Sequence, residues 1–102
     1  MKKEFENLLY QRYPDLFSER TLPPDLSSMC WGLRCGDGWF DLIDALCKTM
    51  QSEIDNSGAP RVRFVQIKEK LGTLRVHIQG GNERIRGMID MACAVSLLIS
   101  EN

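Results

Sequence analysis

The chain has 102 residues, of which 43% are hydrophobic and 26% charged, and its formal net charge is −1. This length fits one domain with one modest core, so we expect a single domain over 1–102, and the ordinary composition argues against a disordered chain. Every apolar run is shorter than the roughly 20 residues that span a bilayer, and the N-terminus lacks the apolar segment of a signal peptide. We therefore expect a cytosolic protein without a membrane partner.

Charge is unevenly distributed along the chain. Residues 1–57 carry six basic and ten acidic side chains, whereas residues 58–102 carry seven basic and four acidic ones. Such asymmetry is a feature of interaction surfaces and allows self-association, but it is too mild to indicate strong nucleic-acid binding by itself.

Two helices are predicted in the first half of the chain. Apolar residues at helical spacing predict a helix over 3–13, which Pro14 ends. The proline-containing segment 14–36 predicts a long loop over the body of the protein. A second apolar stripe predicts a helix from near Asp37 to about Asn56, with Asp37 as its N-cap.

Two strands are predicted in the second half. Apolar residues alternate with polar ones over 73–79, which is the pattern of a half-buried strand. Residues 61–68 predict its partner, with a bulge because Phe64 and Val65 are adjacent apolar residues that would point to opposite faces. The short connection between these segments indicates an antiparallel hairpin.

A final helix follows the hairpin, with Asn82 as its N-cap and inward-facing residues that extend to Ile99. The predicted order is helix, long loop, helix, two strands, helix. An isolated hairpin is marginally stable in water, so helices must cover its apolar face. We therefore predict an α+β fold in which a small antiparallel β-hairpin or sheet packs against about three helices. A homodimer would hide the exposed edges of such a sheet.

The segment from Met29 to Cys47, MCWGLRCGDGWFDLIDALC, combines two tryptophans with three glycines and three acidic residues. Tryptophan is a common anchor, and glycine allows close approach of the backbone. The segment is therefore either a structural keystone or a recognition surface. Trp39 begins the apolar stripe of the second helix and is expected in the core, whereas Trp31 lies in the loop and is the better candidate for an exposed contact.

Two motifs are similar to those of a group of small uncharacterised bacteriophage and prophage proteins. They are CWGLRCGDGWFDLIDALC at 30–47 and VQIKEKLGTLRVHI at 65–78, and the resemblance covers nearly the whole chain. Many members of the group continue into a short Cys-x-x-Cys segment that this sequence lacks. The resemblance implies a phage or prophage origin and the cytosol of a bacterial host, and it brings no established activity or binding residue.

No catalytic or metal site is predicted. Cys30 and Cys35 have the loose spacing C-x4-C, and with Cys47 and His77 they do not complete the usual four-ligand zinc framework, so free thiols are expected. His77 is the only histidine, and no base–nucleophile signature accompanies it. We expect no cofactor and no enzymatic activity.

The leading hypothesis is a non-enzymatic phage or prophage accessory protein that acts by binding a host protein, such as an inhibitor of a defence or nucleic-acid-related protein. The residues expected to bind come from the loop and the hairpin: Trp31, Arg34, Asp37, Trp39, Arg63 and Arg75.

Two alternatives remain open. A nucleic-acid or nucleotide-ligand binding module would use the basic hairpin, in which Arg61, Lys68 and Lys70 accompany the two arginines already named. A small metal-dependent enzyme would use three aspartates that share one helical face: Asp37, Asp41 and Asp44.

Overall fold

Three helices and three strands form the regular structure of the computed structural model, which describes residues 1–102. In chain order these are α1 (Lys3–Arg12), β1 (Leu33–Arg34), α2 (Phe40–Ser57), β2 (Arg63–Lys70), β3 (Thr73–Gln79) and α3 (Glu83–Ser96). The predicted α+β fold is confirmed, and all three predicted helices are present. None of these helices combines the length and the apolar composition that a membrane span requires.

The sheet is mixed rather than purely antiparallel. Strands β2 and β3 form the predicted hairpin, and the register shift between Phe64 and Gln66 confirms the predicted bulge. Strand β1 lies within the segment predicted as loop, and it pairs with β2 in parallel, with Leu33 opposite Ile67. A strand of two residues has no periodicity, so the sequence pattern could not reveal it.

Two helix ends follow ordinary capping rules. Asn82 caps α3 as predicted, because its Oδ1 accepts the Ile85 N–H at 3.0 Å. Gly58 ends α2 with a φ of 68°, the left-handed conformation that glycine favours. The predicted N-cap of α2 is wrong: a short 3-10 turn over Asp37–Trp39 precedes the helix, and no side chain caps it.

The hydrophobic core lies between the inner face of the sheet and the helices. Leu33, Ile67 and Leu74 point from the three strands into this core. Trp39 is among its largest members and is only 1% exposed. The predicted inward position of Ile99 is wrong, because α3 ends at Ser96 and the chain turns away, which leaves Ile99 39% exposed.

Both edges of the sheet have hydrogen-bond partners from the same chain. At the β3 edge, the Leu74 N–H donates to Ser96 Oγ at 3.0 Å. At the β1 edge, the Leu33 N–H donates to a carboxylate oxygen of Glu6 at 2.7 Å, and the Leu33 carbonyl accepts from the Met1 amine at 3.1 Å. Backbone groups that are paired within one chain cannot pair with a second copy. The structure thus offers no open edge at these positions for the homodimer that the sequence suggested.

Candidate binding surface on the outer face of the sheet

Three cationic side chains lie in register across the outer face of the sheet. Arg34 of β1 aligns with Lys68 of β2, which in turn aligns with Arg75 of β3. The preceding residues of β1 and β2, Leu33 and Ile67, are buried in the core, and side chains alternate between the two faces of a strand. Arg34, Lys68 and Arg75 therefore share the solvent-facing side, and we call them the cation row.

None of the three side chains of the cation row forms an ion pair within the protein. Five ion pairs occur in the structure, and none of them includes Arg34, Lys68 or Arg75. Neighbouring strands lie about 4.8 Å apart, so the backbone positions of the row span about 10 Å. Like charges directly opposite each other destabilise a sheet. The row thus concentrates positive charge at a cost to the fold.

Polar residues extend this surface along the hairpin. Lys70 lies opposite Thr73, and Gln66 lies opposite His77, on the same face as the cation row. Lys70 and His77 are exposed to solvent. No phenylalanine, tyrosine or tryptophan side chain belongs to these paired positions, so the surface offers charge and hydrogen bonds rather than stacking.

Arg63, which the sequence nominated together with Arg75, has a different role. It lies at the far end of the hairpin, opposite Gln79, and its Nε donates to the Glu19 carboxylate at 2.9 Å. A second bond joins its guanidinium to Gln79 Oε1 at 2.7 Å. Glu19 is only 6% exposed, so this pair fastens the segment before β1 to the sheet. Arg63 is held by the fold and is not a free contact.

Asp37 and Trp39 are likewise held within the structure. Asp37 Oδ1 accepts the backbone N–H of Lys2 at 2.7 Å, and its other oxygen lies 3.9 Å from the Lys2 ammonium. The buried indole of Trp39 donates from Nε1 to the Ile99 carbonyl at 2.8 Å. Trp39 is therefore not available as a surface contact, which corrects its nomination as a binding residue.

Both ends of the chain form hydrogen bonds to residues 33–39, the segment that contains Asp37 and Trp39. The Met1 amine donates to the Leu33 and Cys35 carbonyls. The Gly36 N–H donates to Glu101 Oε1 at 2.8 Å, and the Gly38 N–H donates to the Glu101 carbonyl at 2.7 Å. We call the bonds that residues 1–2 and 99–101 make to residues 33–39 the terminal clasp. Most of the CGDGW motif (Cys35–Trp39) thus has a structural role in the fold.

Trp31 is the exposed tryptophan of the Met29–Cys47 segment, with 62% of its surface accessible. It lines a shallow cleft of about 270 Å³ together with Tyr10, Arg20 and Lys3. The Arg20 guanidinium lies over the Tyr10 ring at 4.9 Å, which is the geometry of a cation–π contact. Trp31 is thus accessible to a partner, but at the α1 side of β1 rather than within the cation row.

The three aspartates do not form a joint site. Asp44 pairs with Arg12 at 3.0 Å and accepts the Tyr13 hydroxyl at 2.8 Å, whereas Asp37 is held by Lys2 and Asp41 is exposed. No group of three histidine, cysteine, aspartate or glutamate side chains is arranged to hold a metal ion.

The four cysteines are free thiols. Burial raises the pKa of Cys35 to about 11, and burial also raises the pKa of Cys47. Because the thiolate is the reactive form, these two side chains are poor nucleophiles at neutral pH.

An apolar groove between α2 and α3 is a feature that the sequence analysis did not identify. It has a volume of about 390 Å³ and is lined mainly by hydrophobic side chains, among them Leu42, Leu46, Met88, Met91 and Val95. Met91 is 66% exposed, although it lies one residue before the buried Ala92. In the sequence, this groove was indicated only by Met91, an apolar residue outside the inward-facing stripe of α3.

The chemistry of the cation row is the binding of anionic groups. The guanidinium groups of Arg34 and Arg75 can each hold a carboxylate or phosphate through two parallel hydrogen bonds, and Lys68 adds a point charge between them.

No protein-family model, no curated protein and no solved structure matches this chain.

Proposed function

We propose that this protein acts by binding, without catalysis, and that the cation row docks onto an acidic surface of another protein. The observation that carries the proposal is the alignment of three unpaired cations across the sheet. The fold gains nothing from this alignment, because like charges in register repel one another. Carboxylates of a partner would turn the repulsion into charge-assisted hydrogen bonds.

A protein partner fits this surface better than a nucleic acid for two reasons. The outer face of the sheet lacks the aromatic rings on which unpaired bases stack, and the whole chain has a net charge of −1, so its long-range field does not attract a polyanion. A local basic patch on a weakly acidic protein is instead suited to steering a complementary protein surface. Because the chain resembles phage and prophage proteins, we propose a host protein as the partner and occlusion of that protein as the effect.

The test of this proposal is affinity capture with matched charge variants. The tagged protein is incubated with a bacterial extract, captured proteins are identified, and the affinity of each purified candidate is measured. The variant R34E/R75E should weaken binding by at least about tenfold, because close charge pairs across interfaces contribute 1.4 kcal/mol or more each, roughly. The control K48E/R86E makes the same change in net charge at exposed cations that lie outside the cation row and form no ion pair, and it should change the affinity by less than about threefold.

Loss of binding by unfolding is excluded by a second readout on the same variants. Replacement of Arg75 by glutamate places an acidic residue opposite Lys68, which converts a repulsive cross-strand pair into an attractive one. R34E/R75E is therefore expected to unfold at the same urea concentration as the wild type or at a higher one. Equal affinity of R34E/R75E and the control would contradict the proposal.

Nucleic acid is the second candidate partner, because the hydrogen-bonding side chains of Gln66, Thr73 and His77 flank the cation row as they would in a phosphate-binding surface. Fluorescence anisotropy with a labelled DNA duplex and a labelled single strand tests it. Phosphate contacts predict an affinity that falls steeply between about 50 mM and about 200 mM salt, and a shallower fall for R34E/R75E. Absence of binding at the lower salt concentration removes this candidate.

A further inference from the structure

The tip of the β2–β3 hairpin carries an apolar side chain in an unfavourable backbone conformation. The connection consists of Leu71 and Gly72, whose φ angles are 54° and 79°. Two residues with positive φ are the geometry of a type I′ turn, in which asparagine or aspartate followed by glycine is preferred. Leu71 is the only non-glycine residue of the chain with positive φ. A leucine pays a steric penalty in this conformation that an asparagine largely avoids.

Leu71 gains no burial in exchange, because 85% of its surface is exposed. The turn itself is well made without it: the Gly72 N–H donates to a carboxylate oxygen of Glu69 at 2.7 Å. A better turn residue at this position would stabilise the fold at least as well as this strained and exposed leucine does. Burial of the side chain against another molecule would explain why a leucine occupies this position.

We propose that Leu71 is the apolar anchor of the interface, and that it inserts into an apolar pocket rimmed by carboxylates on the partner protein. This inference rests on the proposed function of the cation row and identifies the kind of partner surface that it fits. Lys68, Lys70 and Arg75 all lie within four residues of the tip, and none of them forms an ion pair. A central apolar group surrounded by charged groups is the usual anatomy of a protein–protein hot spot.

The charge around the tip selects the rim of the pocket. Glu69 is the only acidic residue of the hairpin, and its carboxylate is engaged by the turn. The side chains that reach outward around Leu71 are therefore cationic, and an acidic rim complements them. A single leucine has a small apolar area. It is therefore better suited to binding in a fitted pocket than to insertion into the broad apolar interior of a bilayer.

The first measurement compares the stability of L71N with that of the wild type. Asparagine tolerates positive φ, so L71N should raise the midpoint of thermal unfolding by about 3 °C or more. L71M, which keeps an apolar side chain, is the matched control and should leave the midpoint within about 2 °C of the wild type. A midpoint for L71N at or below that of the wild type would overturn the claim that Leu71 is retained at a cost to the fold.

The second measurement places a photo-reactive benzoyl-phenylalanine at position 71 in the full chain and irradiates it in a bacterial extract. Capture of a protein is not sufficient by itself; the cross-linked peptide should lie in an apolar pocket with aspartate or glutamate side chains at its rim. Unlabelled wild type and L71M should compete for the cross-link at similar concentrations, whereas L71N should require at least about tenfold more.

The competitor R34E/R75E separates this inference from the proposed function. If R34E/R75E fails to compete while L71N competes as well as the wild type, the cation row binds and the anchor is refuted. If both variants compete like the wild type, the proposed function fails as well. Vesicles of phosphatidylcholine and phosphatidylglycerol and a DNA duplex are tested as alternative targets, and L71N-sensitive binding to either of them, with no protein cross-link, would overturn the protein pocket.

Discussion

At the scale of single residues, the glycines of the CGDGW motif are required by close packing. A Cβ atom on Gly36 would lie 2.1 Å from the Glu101 carbonyl oxygen, and one on Gly38 would lie 2.2 Å from the Ser100 carbonyl oxygen. Both distances are far below van der Waals contact, and the obstructing atoms belong to the backbone. The sequence indicated that the backbone approaches closely here, but it could not identify the C-terminal residues as the neighbour.

The variant G36A is expected to destabilise the protein by roughly 1–3 kcal/mol, because the terminal clasp must shift to admit the methyl group. G87A is the matched control: its Cβ meets nothing within 4 Å, and alanine in a helix is favoured over glycine, so a gain of about 0.5–1 kcal/mol is expected. Urea denaturation measures both. Equal stability of the two variants would show that the clasp accommodates a side chain at residue 36.

Tyr13 gives the protein a dependence of stability on alkaline pH. Burial raises the pKa of Tyr13 to about 12 from its ordinary 10.0, and its hydrogen bond to Asp44 acts in the same direction. The unfolded chain therefore loses this proton first, so the stabilisation is complete below about pH 10 and is lost as the pH rises towards 12.

The variant Y13F should show a weaker loss of unfolding free energy between about pH 10 and about pH 11 than the wild type. Part of the slope should remain, because burial raises the pKa of Tyr10 to about 12 as well. The slope is the quantity to compare, since Y13F also loses the hydrogen bond to Asp44 at every pH. Parallel profiles of the two proteins would be inconsistent with titration of Tyr13 in this window.

At the scale of elements, the sequence predicted most features that depend on local patterns and missed the pairing between segments that are distant in sequence. The hairpin, its bulge and the start of α3 were correct because alternation and capping are local signals. Strand β1 is too short for a pattern, so the alignment of Arg34 with Lys68 was hidden. Lys68 opposite Arg75 could have been found by counting back from a two-residue turn at Leu71 and Gly72.

One buried hydroxyl group links the end of α3 to the edge of β3. Ser96 Oγ accepts the Leu74 N–H at 3.0 Å and donates to the Cys93 carbonyl, and Ser96 is 1% exposed. S96A should cost about 1–3 kcal/mol, because a buried N–H loses its partner. The exposed Ser52 provides the control S52A, which should change the unfolding free energy by less than about 0.5 kcal/mol. A cost for S96A no larger than for S52A would contradict this role.

At the scale of the whole molecule, the binding features and the packing features are formed by different residues. The cation row and the hairpin tip face solvent, whereas the terminal clasp joins both chain ends to residues 33–39, from β1 to the start of α2. Of the six residues nominated from sequence, Arg34 and Arg75 lie in the cation row and Trp31 is exposed elsewhere. The other three, Asp37, Trp39 and Arg63, are engaged in the fold. Residue type and sequence spacing do not distinguish a free charged side chain from a paired one. The position of the pairing residue in the fold does.

Removal of residues 99–102 should destabilise the protein by roughly 3 kcal/mol, because three hydrogen bonds to the clasp are lost and Trp39 meets water. The measurement uses the W31F background, in which Trp39 is the only tryptophan. Its fluorescence should shift to longer wavelength in the shortened chain while the circular dichroism of the helices persists. An unchanged emission maximum would mean that Trp39 is shielded without the clasp.

The terminal clasp also orders events during synthesis on the ribosome. The segment from Leu33 to Trp39 is translated early, but its glycines and its indole bond to residues that lie 60 to 65 positions further along the chain. The β2–β3 hairpin can form earlier, because its two strands are adjacent in sequence. The nascent protein therefore carries a CGDGW loop and an indole N–H without their protein partners until residues 99–101 have left the ribosome. Chaperone contact and proteolytic cleavage during translation should concentrate on that loop.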